Sequence, residues 1–173
     1  MADQNNQFVI AVYVDNKAGV LTRVTSMFTR RAFNIDALSV GTTESPEYSR
    51  ITITMSGDDY AKAQVLNQLR KLHNVRKVDI LDKNDIIERE LLLIKVKNNL
   101  EQHSILLSSV DIYKAKIIDY NVDAFCIEVT GTPKKIDAFI ESMKPIGIIE
   151  SCRTGLVAME KGDTALVDRP DCY

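Results

Sequence analysis

Apolar positions in the first half of the chain follow two periods in turn. Residues 8–14 (FVIAVYV) form a short apolar run that reads as a buried strand. Apolar residues at 20, 21, 24, 27 and 28 then recur at helical spacing, which predicts a helix over 20–31. Strands are predicted at 36–43 and 49–55, joined by a turn at Glu44-Ser45-Pro46-Glu47. The second of these alternates, with Ile51, Ile53 and Met55 on one face and Thr52 and Thr54 on the other. A helix over 58–72, with apolar residues at 61, 65, 66, 69 and 72, and a strand over 75–81 complete the half.

The second half repeats this order. Residues 90–97 read as a strand and 101–113 as a helix, with Ile105, Leu106, Ile112 and Tyr113 assigned to its buried side. A hairpin is predicted over 115–120 and 124–130, around Asn121-Val122-Asp123. Thr132 is placed as an N-cap with Pro133 at the first helical position, and Ile136, Phe139, Ile140 and Met143 form the buried stripe. A last strand covers 146–152. The order βαββαβ thus occurs twice, joined by the polar linker Asp82-Lys83-Asn84-Asp85.

This predicts an α+β protein of two ferredoxin-like sandwiches, each with four antiparallel strands and both helices on one face. Domain 1 is placed at 7–82 and domain 2 at 86–162, with 163–173 as an unstructured tail. Such units leave one sheet face and the edge strands open, so pairing of sheets or dimerisation is expected.

Composition narrows the class. The chain has 173 residues, 45% hydrophobic and 27% charged, with a formal charge of −2, the profile of a globular protein. Its mixed charge argues against a nucleic-acid binder, and it has no apolar run long enough to span a membrane. The N-terminal MADQNNQ lacks the order of a signal peptide, and a cytoplasmic protein is expected. Cys126, Cys152 and Cys172 form no C-x-x-C pair, and Cys126, inside an apolar run, is read as a core residue. With His73 and His103 in unrelated contexts, neither a metal site nor a catalytic set is expected.

The loop Asp15-Asn16-Lys17-Ala18-Gly19 delivers the first strand directly into the first helix. At a helix N-terminus the leading N–H groups lack partners and the dipole favours an anion. The N–H groups of Gly19, Val20 and Leu21 are therefore placed to hold a carboxylate, and Asn16 can both donate to a carboxylate and accept from an ammonium. An α-amino acid carries that pair of groups. A second reading stays open, in which Gly19 only permits a tight turn and Asn16 caps it. The matching connection in the second half, Lys97-Asn98-Asn99-Leu100-Glu101, has no glycine. Arg30 and Arg31 close the first helix, either as dipole partners or as contacts to another chain, and Asn34 follows them.

The segments DNKAGVLTRVTSMF, RRAFNIDALSVG and YSRITITMSGDD resemble the ACT domain of the regulatory (small) subunit of acetolactate synthase, also called acetohydroxyacid synthase. ERELLLIKV, AKIIDY, VTGTPKKIDAFI and IIESCRTGLVAM extend the resemblance over about residues 8–162. The resemblance implies a protein without catalytic residues that binds a catalytic subunit and raises its activity. It also implies feedback inhibition by valine or another branched-chain amino acid, within valine, isoleucine and leucine biosynthesis. Thiamine diphosphate, Mg2+ and FAD are expected on the catalytic partner and no cofactor on this chain. Asn16, Gly19, Val20, Leu21, Asn34 and Ile35 would line the effector site between the ACT domains of a homodimer.

Two departures from the family stand out. Ala32 occupies a position that is usually glycine, which is costly if the backbone there needs a positive φ. DIYKAK replaces a common aromatic-arginine pair. Rival readings on the same fold fare worse. An RNA binder would need aromatics on strand 49–55, which has none, and an acylphosphatase-like hydrolase would need an arginine in the first loop. The alternative kept is a free-standing ACT-domain sensor for a different enzyme or transporter.

Overall fold

The structure is a computed structural model that describes residues 6–168. The first compact unit contains β1 (Gln7–Asp15), α1 (Val20–Arg30), β2 (Ala37–Thr42), β3 (Tyr48–Ser56), α2 (Asp59–Arg70) and β4 (Val75–Leu81). Its sheet runs β2-β3-β1-β4, and every neighbouring pair is antiparallel. Val20, Val24, Met27 and Phe28 bury the stripe of α1, and Val65 and Leu69 that of α2. They pack on Ile10, Val12, Ile51, Ile53 and Met55, the helix-facing side of the sheet. Asp58 starts α2 by accepting the N–H of Ala61 at 2.8 Å.

The second unit, Glu88–Thr154, takes most of β5 (Ile86–Lys97), then α3 (His103–Tyr113), β6 (Lys116–Tyr120), β7 (Ala124–Gly131), α4 (Pro133–Met143) and β8 (Ile148–Arg153). Its strands order as β6-β7-β5-β8. Thr132 caps α4 by accepting the N–H of Lys135, with Pro133 at the first position, as the sequence predicts. Both units are ferredoxin-like, so the predicted α+β class and the doubled βαββαβ order hold.

The structure departs from the sequence expectations in several places. The spatial division is not linear: residues 155–168 group with the first unit and not with 88–154. This returning segment contains β9 (Val157–Glu160) and a 3₁₀ turn at Leu166–Asp168, neither of which was predicted. Leu156, Ala158 and Leu166 bury themselves on Val9, Ala11 and Leu81, the sheet face that α1 and α2 leave uncovered. That face is therefore closed in the first unit, and Thr52 and Thr54 lie buried on it. Of the predicted tail, 163–168 is ordered in this way, and 169–173, with Cys172, lies outside the described residues.

Helix α3 buries Leu106 and packs Tyr113 against the core as predicted, but turns Ile105 and Ile112 away from it. A 3₁₀ turn at Leu100–Gln102 precedes it, and Leu106, Ser109 and Val110 face the core. Ile105 and Ile112 are 57% and 74% exposed. Because α3 is apolar around most of its circumference, periodicity could not select its buried side. Cys126 lies between the buried Phe125 and Ile127, so strand alternation sends it to the opposite sheet face, outside the core. The polar linker is a tight turn in which Asp85 N–H donates to the Asp82 carbonyl.

Candidate functional site

The loop between β1 and α1 is built on Asp15, the last residue of β1, which is 4% exposed. Its carboxylate accepts from Arg76 Nε at 2.6 Å, Arg76 Nη2 at 3.1 Å and Asn74 Nδ2 at 3.0 Å. Asn74 Oδ1 in turn accepts from Arg23 Nη1 on α1 at 2.8 Å. The hydrogen bonds from Arg76 and then Asn74 hold the Asp15 carboxyl below the usual carboxylate range, against the opposing effect of its burial. Sequence reasoning missed Asp15, Asn74 and Arg76. The available signal was a carboxylate ending an otherwise apolar strand, and its partners are 59 and 61 residues away.

Asn16 does not cap α1. Its N–H donates to the Glu47 carbonyl at 2.7 Å and its Nδ2 to the Pro46 carbonyl at 2.9 Å, which ties the loop to the β2–β3 turn. Asn98 repeats this in the second unit, donating from its backbone to Asp123 and from Nδ2 to Asn121. The tether is thus a property of the fold, and it leaves Oδ1 of the exposed Asn16 as the atom available to a ligand ammonium.

Gly19 is the N-cap of α1 with φ 82° and ψ −5°, and no side chain caps the helix there. A Cβ at Gly19 would meet nothing within 4 Å. Glycine is needed for its left-handed backbone and not to relieve crowding inside the chain, and the space above it is open. Of the three N–H groups assigned to a carboxylate, that of Val20 already donates to Lys17 at 3.3 Å. The Val20 side chain is buried in the core, while Leu21 is 41% exposed. Helix geometry leaves the N–H groups of Leu21 and Thr22 without intrahelical partners, so the free donors at this end lie one residue further along than the sequence assigned. In the second unit the 3₁₀ turn at Leu100–Gln102 fills the equivalent connection, with Asn99 Oδ1 accepting from Glu101 N–H.

One chain does not unite the six assigned residues. Asn16, Gly19, Val20 and Leu21 share the start of α1, whereas Asn34 and Ile35 follow its far end, about 16 Å along an 11-residue helix. Asn34 is exposed and donates from Nδ2 to Asp36 at 3.1 Å, and Ile35 packs partly on the core. Arg31 reaches Gln68 on α2 at 2.8 Å, and Arg30 Nε bonds the Ser26 carbonyl of its own helix. Ala32 has φ 56°, so the position that is usually glycine does use a left-handed backbone here. Among the described residues, no three His, Cys, Asp or Glu side chains cluster as metal ligands, and no helix is long and apolar enough to cross a membrane.

A βαββαβ unit opening α1 on a left-handed glycine is an ACT domain by comparison as well: residues 10–77 match the AHAS small subunit-like ACT domain family. Residues 89–162 match the family described as the small subunit of acetolactate synthase. A probable acetolactate synthase small subunit of Archaeoglobus fulgidus is 47% identical over 154 residues, 89% of this chain and 96% of that one. The acetolactate synthase small subunit of Mycolicibacterium smegmatis is 38% identical over 162 residues, 94% of this chain and 95% of the relative. The crystal structure of the Thermotoga maritima small subunit superposes with a TM-score of 0.86 at 37% identity, covering 91% of this chain and 99% of that one. The chain belongs to the acetolactate synthase small-subunit family.

Proposed function

We propose that this chain is the non-catalytic regulatory subunit of acetolactate synthase. It binds the thiamine-diphosphate-dependent catalytic subunit, raises its turnover, and confers feedback inhibition by valine or another branched-chain amino acid. Family membership supports the partner, and thiamine diphosphate, Mg2+ and FAD are assigned to that partner. The observation that carries the effector reading is Gly19, left-handed and unobstructed at the start of α1. There a ligand carboxylate meets N–H groups that the helix leaves free, and the Asn16 Oδ1 can accept from its ammonium. Asn34 and Ile35 are too far along α1 to join them within one chain, so in this reading they come from the second ACT domain of a homodimer.

Reconstitution tests the proposal. The purified chain mixed with its cognate catalytic subunit should raise acetolactate formation from pyruvate severalfold, and valine should reverse the gain. Turnover by this chain alone, or no effect on the catalytic subunit, would overturn it. Light scattering should give a dimer, and a monomer that still binds an amino acid tightly would remove the shared pocket.

A further inference from the structure

A hollow of about 450 Å³ lies inside the first unit, between the face of the sheet opposite α1 and α2 and the returning segment 159–167. It is separate from the Gly19 loop and shares none of the six residues assigned there. Its apolar wall includes Tyr13, Leu81 and the buried Leu166. Its charged groups include Arg50 on β3, with Glu44 from the β2–β3 turn and Asp163 from the returning segment, both on exposed residues.

Arg50 is the unusual feature. Its Nη2 donates to the Ala158 carbonyl at 2.8 Å, and its Nε–H is buried with no acceptor. Burial works against the guanidinium charge, and the nearby Glu160 carboxylate favours it. A guanidinium partly withdrawn from water gains from an anion in the hollow, and its planar fork suits a carboxylate. Acidic groups on the same wall disfavour a simple anion and favour a ligand that also carries a positive charge. The volume lies within the range of small-molecule pockets and has room for an aliphatic side chain.

We infer that this hollow is a second amino-acid site, distinct from the Gly19 loop. It takes an aliphatic α-amino acid with the carboxylate on Arg50, the ammonium toward Glu44 and Asp163, and the side chain against Leu81 and Leu166. The inference does not rest on the effector reading of the loop.

The test is a nuclear magnetic resonance titration of the full chain with leucine, following backbone amides and the Arg50 Nε–H. In a Gly19→Asp chain, leucine should still shift Arg50 Nε–H and the amides of 160–167, with an unchanged dissociation constant. The desamino analogue 4-methylpentanoate and the decarboxylated 3-methylbutylamine should each bind at least about tenfold more weakly, since each loses one charged contact. Asp163→Asn, at an exposed position, should weaken leucine about tenfold, and Arg50→Met should abolish the shifts at 160–167 while leaving those of loop 16–21. No shift at 160–167 with millimolar leucine would overturn the site, as would its loss in Gly19→Asp or equal binding of 4-methylpentanoate. Failure of the loop reading alone would show as silence at 16–21 while 160–167 still respond.

Discussion

The backbone N–H of Phe33 donates to the Phe28 carbonyl at 3.0 Å, and the two rings meet edge to face with centroids 6.5 Å apart. With the Ala32 N–H on the Thr29 carbonyl at 3.2 Å, these bonds close α1 in the motif that normally places glycine between them. Ala32 fills that place at φ 56°.

Ala32→Gly should therefore stabilise the protein. A left-handed alanine costs about 1–2 kcal/mol, partly offset by the greater freedom of glycine in the unfolded chain, so a gain of about 1 kcal/mol is expected. Urea unfolding should show the midpoint rising with an unchanged slope. A midpoint that stays put or falls would mean that the turn carries no strain.

The Asp15 carboxyl, held low by Arg76 and Asn74, makes the loop acid-sensitive. Because its native pKa lies below its unfolded value, near 3.9, its stabilisation is complete above that value. It is lost as pH falls through the native value. Asp15→Asn should lower stability at neutral pH, and the gap to the parent should close as the solution is acidified below about pH 4. Urea midpoints across a pH series test this, and a gap independent of pH would contradict it.

Gly19→Asp should abolish valine inhibition while sparing activation. Two unit charges about 4 Å apart repel by roughly 4 kcal/mol at an effective dielectric near 20. Half of that would weaken binding about thirtyfold. Folding should suffer less: the added Cβ has open space, aspartate tolerates a left-handed backbone better than most residues, and its charge suits the helix dipole. Asn34→Ala should also lose inhibition, whereas Asn99→Asp, in the second unit, should keep it. A Gly19→Asp protein as valine-sensitive as the parent would move the effector site elsewhere.

Gly155 sits where an added Cβ would run into the Leu38 carbonyl oxygen on β2 and come 3.1 Å from Ser39 N. Backbone cannot yield as a flexible side chain does, so Gly155→Ala should destabilise by about 1–3 kcal/mol. Leu166→Ala, which removes a buried contact further along the same segment, should cost about 2 kcal/mol. Thermal unfolding of both variants checks this, and two parent-like transitions would mean that the segment is not held on the sheet.

The elements that local chemistry specifies were legible in the chain. Among the described residues, periodicity placed the four main helices and eight of the nine strands to within a few residues. Thr132-Pro133 marked the start of α4 because capping is settled within one helical turn. The Asp15–Gly19 loop was recognisable as the transition from β1 to α1, since glycine there answers a backbone need. Other features depended on partners far away in sequence. Nothing in Leu156, Ala158 and Leu166 announces that they cover Val9, Ala11 and Leu81, because burial of a short segment is decided by the surface it meets. The same holds for Asp15, whose role rests on Asn74 and Arg76. For α3, apolar on nearly every side, only packing against Phe125 and Phe139 could choose between Leu106 and Ile105. A chain's pattern states how often it can be buried, and the tertiary contacts decide which surface does the burying.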